Sequence, residues 1–212
     1  KDDFSSNNPL APNDYTSPAF ATHHLTKVNI GTRINFGQKY FSRPDAKIIL
    51  RNSTYPILYF DFEKAFAATE KNYEYEQLST RVFYSKTIGN KGTFITNLKA
   101  GKFFNADGIS FIDYQHFNGN QTHIGTSASY LNVFNLMPYY TNSTNDSYFE
   151  AHAEHNFEGY IMNKIPLLNK LHSTLVIGFH NLAVPDRKPY QEFSVGLDHL
   201  GFGKFKIFRL DY

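Results

Sequence analysis

The densest group of chemically capable side chains is the run EAHAEH at residues 150–155. Imidazoles and carboxylates at short spacing are the donor set of a transition-metal site or of general acid–base chemistry. The order is not HExxH, and the alternation with alanine argues for a strand rather than a helix. On a strand, Glu150, His152 and Glu154 share one face and His155 points to the other. Only one imidazole then converges with the two carboxylates, so the group reads as an ordinary polar wall. His172 and His180 have the same inward parity but lie far apart along their strand, and read the same way. His23 and His24 flank the first strand and are expected to face an interface or solvent.

The other charges on that parity are Asp61, Glu63, Glu192 and Asp198, with Lys27, Arg33, Lys39, Arg81, Lys99 and Lys204. Spacing singles out no carboxylate pair for hydrolysis, and neither a phosphate-binding glycine loop nor GxSxG occurs. The sequence therefore assigns no catalytic, cofactor-binding or metal residue, and no cofactor is expected. Zero cysteines exclude disulfides and thiolate sites, and a net charge of +2 gives no footprint for nucleic acid.

The elements that carry these residues repeat one pattern. In residues 26–40, TKVNIGTRINFGQKY, every second position is compatible with lipid and the positions between are polar or glycine. Period two means a strand with one apolar and one wet face. A strand needs about nine to eleven residues to cross a bilayer, whereas soluble strands average about five or six. The same alternation predicts strands over residues 55–67, 75–86, 93–103, 130–140, 148–160, 171–181, 190–200 and 204–212. The strand over 130–140 is less regular, with Phe134 and Leu136 outward. In 204–212 the phase slips after Lys206, which predicts a bulge. IGNKG at 88–92 is a tight turn, and 41–56 is a connection with a short apolar run at 48–50. Residues 105–127 form a long connection, and NKIPLLNKL at 163–171 holds a short interfacial turn of helix.

About nine such strands joined in sequence predict an all-β fold: a transmembrane, antiparallel, up-and-down β-barrel segment belonging to a larger barrel. Residues 1–25 are a loop or linker and 26–212 the barrel segment. Toward lipid the phase places Val28, Ile30, Ile34, Phe36, Leu78, Val82, Phe94, Leu98, Leu175, Ile177, Phe179, Phe193, Val195 and Leu197. Toward the lumen it places Lys27, Arg33, Lys39, Asp61, Glu63, Arg81, Lys99, Glu150, His152, Glu154, Glu192 and Asp198. A mean hydropathy of −0.44 is compatible with this, because half of each barrel strand is polar, and 17% aromatics suit interfacial girdles.

The motifs FNGNQT, FNLMPYY, EAHAEHNFEGYIMNKIPLLNKL and PYQEFSVGLDHL, followed by FKIFRLDY, resemble a Bacteroidota outer-membrane barrel family of unknown function. Its members usually carry a carboxypeptidase-regulatory-like domain ahead of a surface-antigen-like barrel. The resemblance spans roughly residues 20–212 and brings no catalytic residues. It implies that the chain is a C-terminal segment with one further strand after Tyr212. The absence of an apolar signal core near residue 1 likewise suggests a mature protein or a fragment. On that count NKIPLLNKL and the 105–127 connection are periplasmic, while IGNKG, TNSTNDS and AVPDRKP are extracellular.

The expected function is a structural, transport or assembly role at the bacterial outer membrane, without enzymatic activity. The partners would be outer-membrane lipid and other outer-membrane or periplasmic proteins. A soluble β-sandwich or barrel that binds glycan or lipid is the alternative, and a porin-like channel the third.

Overall fold

The structure, a computed structural model, describes residues 23–50, 55–120, 131–166, 168–202 and 205–212. Its strands are β1 (Thr26–Asn35), β2 (Tyr40–Ser42), β3 (Lys47–Ile49), β4 (Ile57–Phe66), β5 (Tyr75–Thr87), β6 (Thr93–Phe104), β7 (Ser147–Asn156), β8 (Thr174–Ala183), β9 (Tyr190–Phe202) and β10 (Phe205–Asp211). Among the described residues, eight of them form one sheet in the order β1-β4-β5-β6-β7-β8-β9-β10, and β2 and β3 form a separate hairpin. Every pairing is antiparallel. The fold is thus all-β, a meander in which each strand pairs with its neighbour in sequence, β2 and β3 aside. The sheet is open: β1 and β10 each keep one edge unpaired among the described residues. Closure into a barrel is not seen.

Alternation of side chains gives the sheet two unlike faces. One, the open face, carries exposed apolar side chains such as Ile30, Phe60, Leu78, Ile177 and Phe193. The other is covered by the segment that joins β6 to β7. Between them lies the buried core, which includes Phe103, Phe117, Phe134, Met137, Tyr148 and Leu182. Within the segment, a 3-10 turn at Phe111–Asp113 and a bridge between Gln115 and Thr144 replace regular structure.

Three sequence expectations need correction. Residues 131–140 form no strand; the segment turns inward instead. Pro138 lacks an N–H for a ladder, and the nearby backbone donors find local partners. The Phe134 N–H donates to Asn118 O at 2.8 Å, and the Asn120 N–H to Met137 O at 2.9 Å. Phe134, expected outward, is 0% exposed. Second, β1 stops at Asn35 because the chain turns at Gly37, where φ is +58°. Phe36 and Lys39 therefore lie beyond the strand, and the 41–56 connection contains most of a hairpin. Third, His172 lies before β8 with φ +52° and bonds Asn169 O through Nδ1 at 2.8 Å, so it is not an inward strand residue.

Removing the strand at 130–140 also changes which turns share an end. IGNKG, NKIPLLNKL and the β9–β10 turn lie at one end of the sheet, with the β2–β3 hairpin. AVPDRKP, TNSTNDS and the long β6–β7 segment lie at the other. At IGNKG the turn closes through Ile88 N–H to Gly92 O at 2.8 Å. A Cβ at Gly92 would sit 2.0 Å from Asn156 O, at φ +104°, so only glycine fits. The helical turn expected in NKIPLLNKL is two 3-10 turns, Met162–Lys164 and Leu168–Leu171. The expected bulge is present as register shifts between β9 and β10. Residues 1–22 of the expected linker, and Lys204, lie outside the described residues.

Candidate functional site: the covered polar face and its inward segment

Antiparallel register brings four polar side chains into one row across adjacent strands. Asn97 on β6 pairs with His152 on β7, His152 with His180 on β8, and His180 with Glu192 on β9. All four are buried. The Nδ1 atoms of His152 and His180 are 2.7 Å apart, and His152 Nε2 is 2.9 Å from Glu150 Oε1. At that separation one Nδ1 donates and the other accepts. A single proton therefore lies between the rings, and His152 Nε2 faces the Glu150 carboxylate. The pair can hold and exchange a proton, but it is sealed: Phe134 packs 4.8 Å from the His152 ring and 6.2 Å from that of His180. Among the described residues no three His, Cys, Asp or Glu side chains converge as a metal site.

The segment over this row is held at several points. Glu192 accepts the backbone N–H of Asn135 at 2.7 Å and of Leu136 at 2.8 Å, and also the Tyr190 hydroxyl. Charge-assisted bonds of this kind are the strong ones. Asn97 Nδ2 donates to Asn132 Oδ1 at 2.6 Å while Arg81 Nε donates to Asn97 Oδ1 at 2.7 Å. Lys99 Nζ donates to Gln115 Oε1 at 3.4 Å. At the first strand, Lys27 Nζ meets Asp113 Oδ1 at 2.6 Å, and His23 Nε2 lies 3.4 Å from Asp113 Oδ2. Within the segment, His116 Nδ1 is 2.8 Å from Ser143 Oγ, and burial lowers the imidazole pKa below its ordinary value. The polar face thus acts as a docking surface for the chain's own 105–120 and 131–146.

The charges expected on the polar parity take three roles. Lys27, Arg81, Lys99 and Glu192 engage the segment directly or through Asn97. Others brace the wall: Glu63 accepts the Tyr75 hydroxyl at 2.7 Å, and Arg33 lies over the Tyr59 ring. Arg209 on β10 spans to Glu154 on β7 at 2.8 Å. Asp61 is on the same face, level with Ser79 on β5. Asp198 turns to its neighbour, accepting the His199 N–H at 2.7 Å, and Lys39 is away from the face altogether. His23, expected at an interface or in solvent, stacks on Tyr73 at 4.6 Å beside Asp113, and its side chain is 7% exposed. The apolar set Val28, Ile30, Ile34, Leu78, Val82, Phe94, Leu98, Leu175, Ile177, Phe179, Phe193, Val195 and Leu197 shares the open face by register, without Phe36.

Sequence reasoning did not find the His152–His180 contact or the anchoring role of Glu192. Shared parity was the available signal, but parity does not say which residue lies opposite which.

A comparison of sequence bears on this arrangement. Residues 1–197 match the C-terminal domain of DUF5686, a family of unknown function. The chain belongs to that family. No curated protein and no solved structure matches. Membership of DUF5686 therefore brings no established activity, and the inward segment on its polar face must carry the functional argument.

Proposed function

We propose that this DUF5686 domain is a stretch of outer-membrane β-barrel wall, with its interior occupied by the chain's own residues 105–120 and 131–146. Its role is structural, or in transport or assembly, without enzymatic activity, and in line with the Bacteroidota resemblance. One observation carries this reading: across β6 to β9 the apolar face is the uncovered one, and the polar face, with Asn97, Glu150, His152, His180 and Glu192, is the buried one. Water would select the reverse. A lipid-facing wall requires it, since the hydrocarbon takes the apolar side chains and the lumen the polar ones.

The strand lengths agree. Apart from the seven-residue β10, the strands of the sheet have 10 to 13 residues, against about nine to eleven for a crossing. A barrel of about eight strands has room only for its own side chains. A wall that encloses this segment therefore needs more strands than the eight described, and the unpaired edges of β1 and β10 are where they would add. A soluble sandwich would need a second layer on the open face, and among the described residues none packs there.

Long loops are extracellular and short turns periplasmic in such barrels. The longest connection, from β6 to β7, sets its end of the sheet outside; the end with IGNKG is then periplasmic, and residues 105–120 and 131–146 enter from outside.

Heat-modifiable gel migration and dependence on detergent for extraction test the wall; a monodisperse protein without detergent overturns it. A cysteine at Asp186 should label on intact cells and one at Lys91 should not, and the converse reverses the orientation. An open porin-like channel is disfavoured by the docked segment, so conductance in planar bilayers should be low.

A further inference from the structure

Between β1 and β4 the chain leaves the sheet and forms the β2–β3 hairpin. Its pairs are Tyr40 with Ile49, Phe41 with Ile48, and Ser42 with Lys47. A two-stranded hairpin is marginal in water at best, and this one has three residues a side. Yet among the described residues neither face is covered: Tyr40 is 59% exposed, Phe41 55% and Ile49 59%. Alternation puts Tyr40 and Ile49 on one face and Phe41 and Ile48 on the other, so the hairpin is apolar on both sides.

The cations sit further toward the tip. Lys47 Nζ lies 5.2 Å from the Tyr40 ring centre, and the Arg43 guanidinium 5.8 Å from that of Phe41. Lys39 stands at the base, and Asp45 is the only acid in residues 36–50. The hairpin follows the end of β1 at which Ile34 closes the apolar row and Phe36 and Tyr55 are exposed. Past Lys39 and Leu50 at the base, the side chains run outward from the paired aromatics and isoleucines to Arg43 and Lys47. A bilayer leaflet has the matching order of interface and phosphate.

We propose that the β2–β3 hairpin docks into the anionic phospholipid headgroups of the inner leaflet, its aromatic and isoleucine side chains in the interface and Arg43 and Lys47 on lipid phosphates. The proposal rests on the membrane-wall reading and on the orientation given above. A protein groove would cover one face of the hairpin and leave the other apolar face in water. An interfacial lipid layer satisfies both faces together and supplies phosphates to the tip, where two cations, Arg43 and Lys47, stand against one acid, Asp45.

The chain contains no cysteine, so Ile48→Cys gives a unique thiol for a polarity-sensitive fluorophore. The full protein is placed in nanodiscs of phosphatidylethanolamine alone or with phosphatidylglycerol, with Asn90→Cys in the β5–β6 turn as control. The label at residue 48 should shift to the blue, more strongly with phosphatidylglycerol, and be quenched by lipids spin-labelled near the headgroup. Adding R43Q and K47Q should lower the hairpin's lipid-binding equilibrium about 30-fold, roughly fivefold per cation. Emission at residue 48 that matches the control and ignores phosphatidylglycerol overturns the docking alone. Failure of the protein to enter the discs overturns the membrane wall and the docking with it.

Discussion

Glu192 is the point at which the wall grips the inward segment most directly. Its carboxylate accepts two backbone N–H groups, from Asn135 at 2.7 Å and Leu136 at 2.8 Å, at a position where it is 7% exposed. Hydrogen bonds to a charged group contribute about 1.5–3 kcal/mol each. Glu192→Ala removes both acceptors and leaves two amides without partners beside Phe134. The docked segment should lose about 3–6 kcal/mol, which is roughly two to four orders of magnitude in its opening equilibrium. Hydrogen–deuterium exchange of detergent-solubilised protein reads this directly. Peptides covering 131–140 should exchange faster by that factor, while peptides from β5 and β6 keep their protection. Glu192→Gln retains one acceptor oxygen and should fall between wild type and alanine. Unchanged exchange at Asn135 and Leu136 in the alanine variant would refute the idea that Glu192 holds the segment. A uniform rise across the sheet would show instead that Glu192 stabilises the wall as a whole.

Phe134→Ala should cost about 3–5 kcal/mol, because the ring is fully buried over the histidine pair, and thermal unfolding with proteolysis of the segment would show it. Arginine at Ile30 or Phe193 separates lipid from water as the partner of the open face. In a bilayer each should destabilise folding by about 2–4 kcal/mol near the midplane, whereas an exposed site in water would change by less than about 0.5 kcal/mol. Reversible folding into liposomes measures the difference. Asp113→Asn should weaken the tie to Lys27 by about 1 kcal/mol in a double-mutant cycle, since the Lys27 side chain is 39% exposed and partly screened. Burial lowers the His116 pKa, so the folded segment favours the neutral ring. The unfolded chain then binds more protons once the pH falls through about 6.5, and stability is full above that pH and declines below it. Exchange rates of the 111–120 peptides followed against pH should show the decline, and His116→Gln should remove it.

The alternation of TKVNIGTRIN or YFEAHAEH is local information, since successive strand side chains point to opposite faces wherever the strand lies. Sequence alone therefore sorted Ile30 from Arg33 and His152 from His155, and separated the apolar set from the charged set. Register was beyond it. That His152 faces His180, and that Glu192 completes their row, depends on how neighbouring strands slide past one another. Pairing over long sequence separations fixes that. Residues 131–140 show the opposite failure. Their partial alternation imitates a strand, but the donors of Asn135 and Leu136 are claimed by a carboxylate more than fifty residues away. That one error moved IGNKG to the wrong end of the sheet. The sequence determined which face each strand residue belongs to, because side-chain direction is set by the backbone's own period. Only the tertiary structure decided what covers the polar face, because the segment is held there by partners that are distant in the chain and adjacent only after the sheet forms.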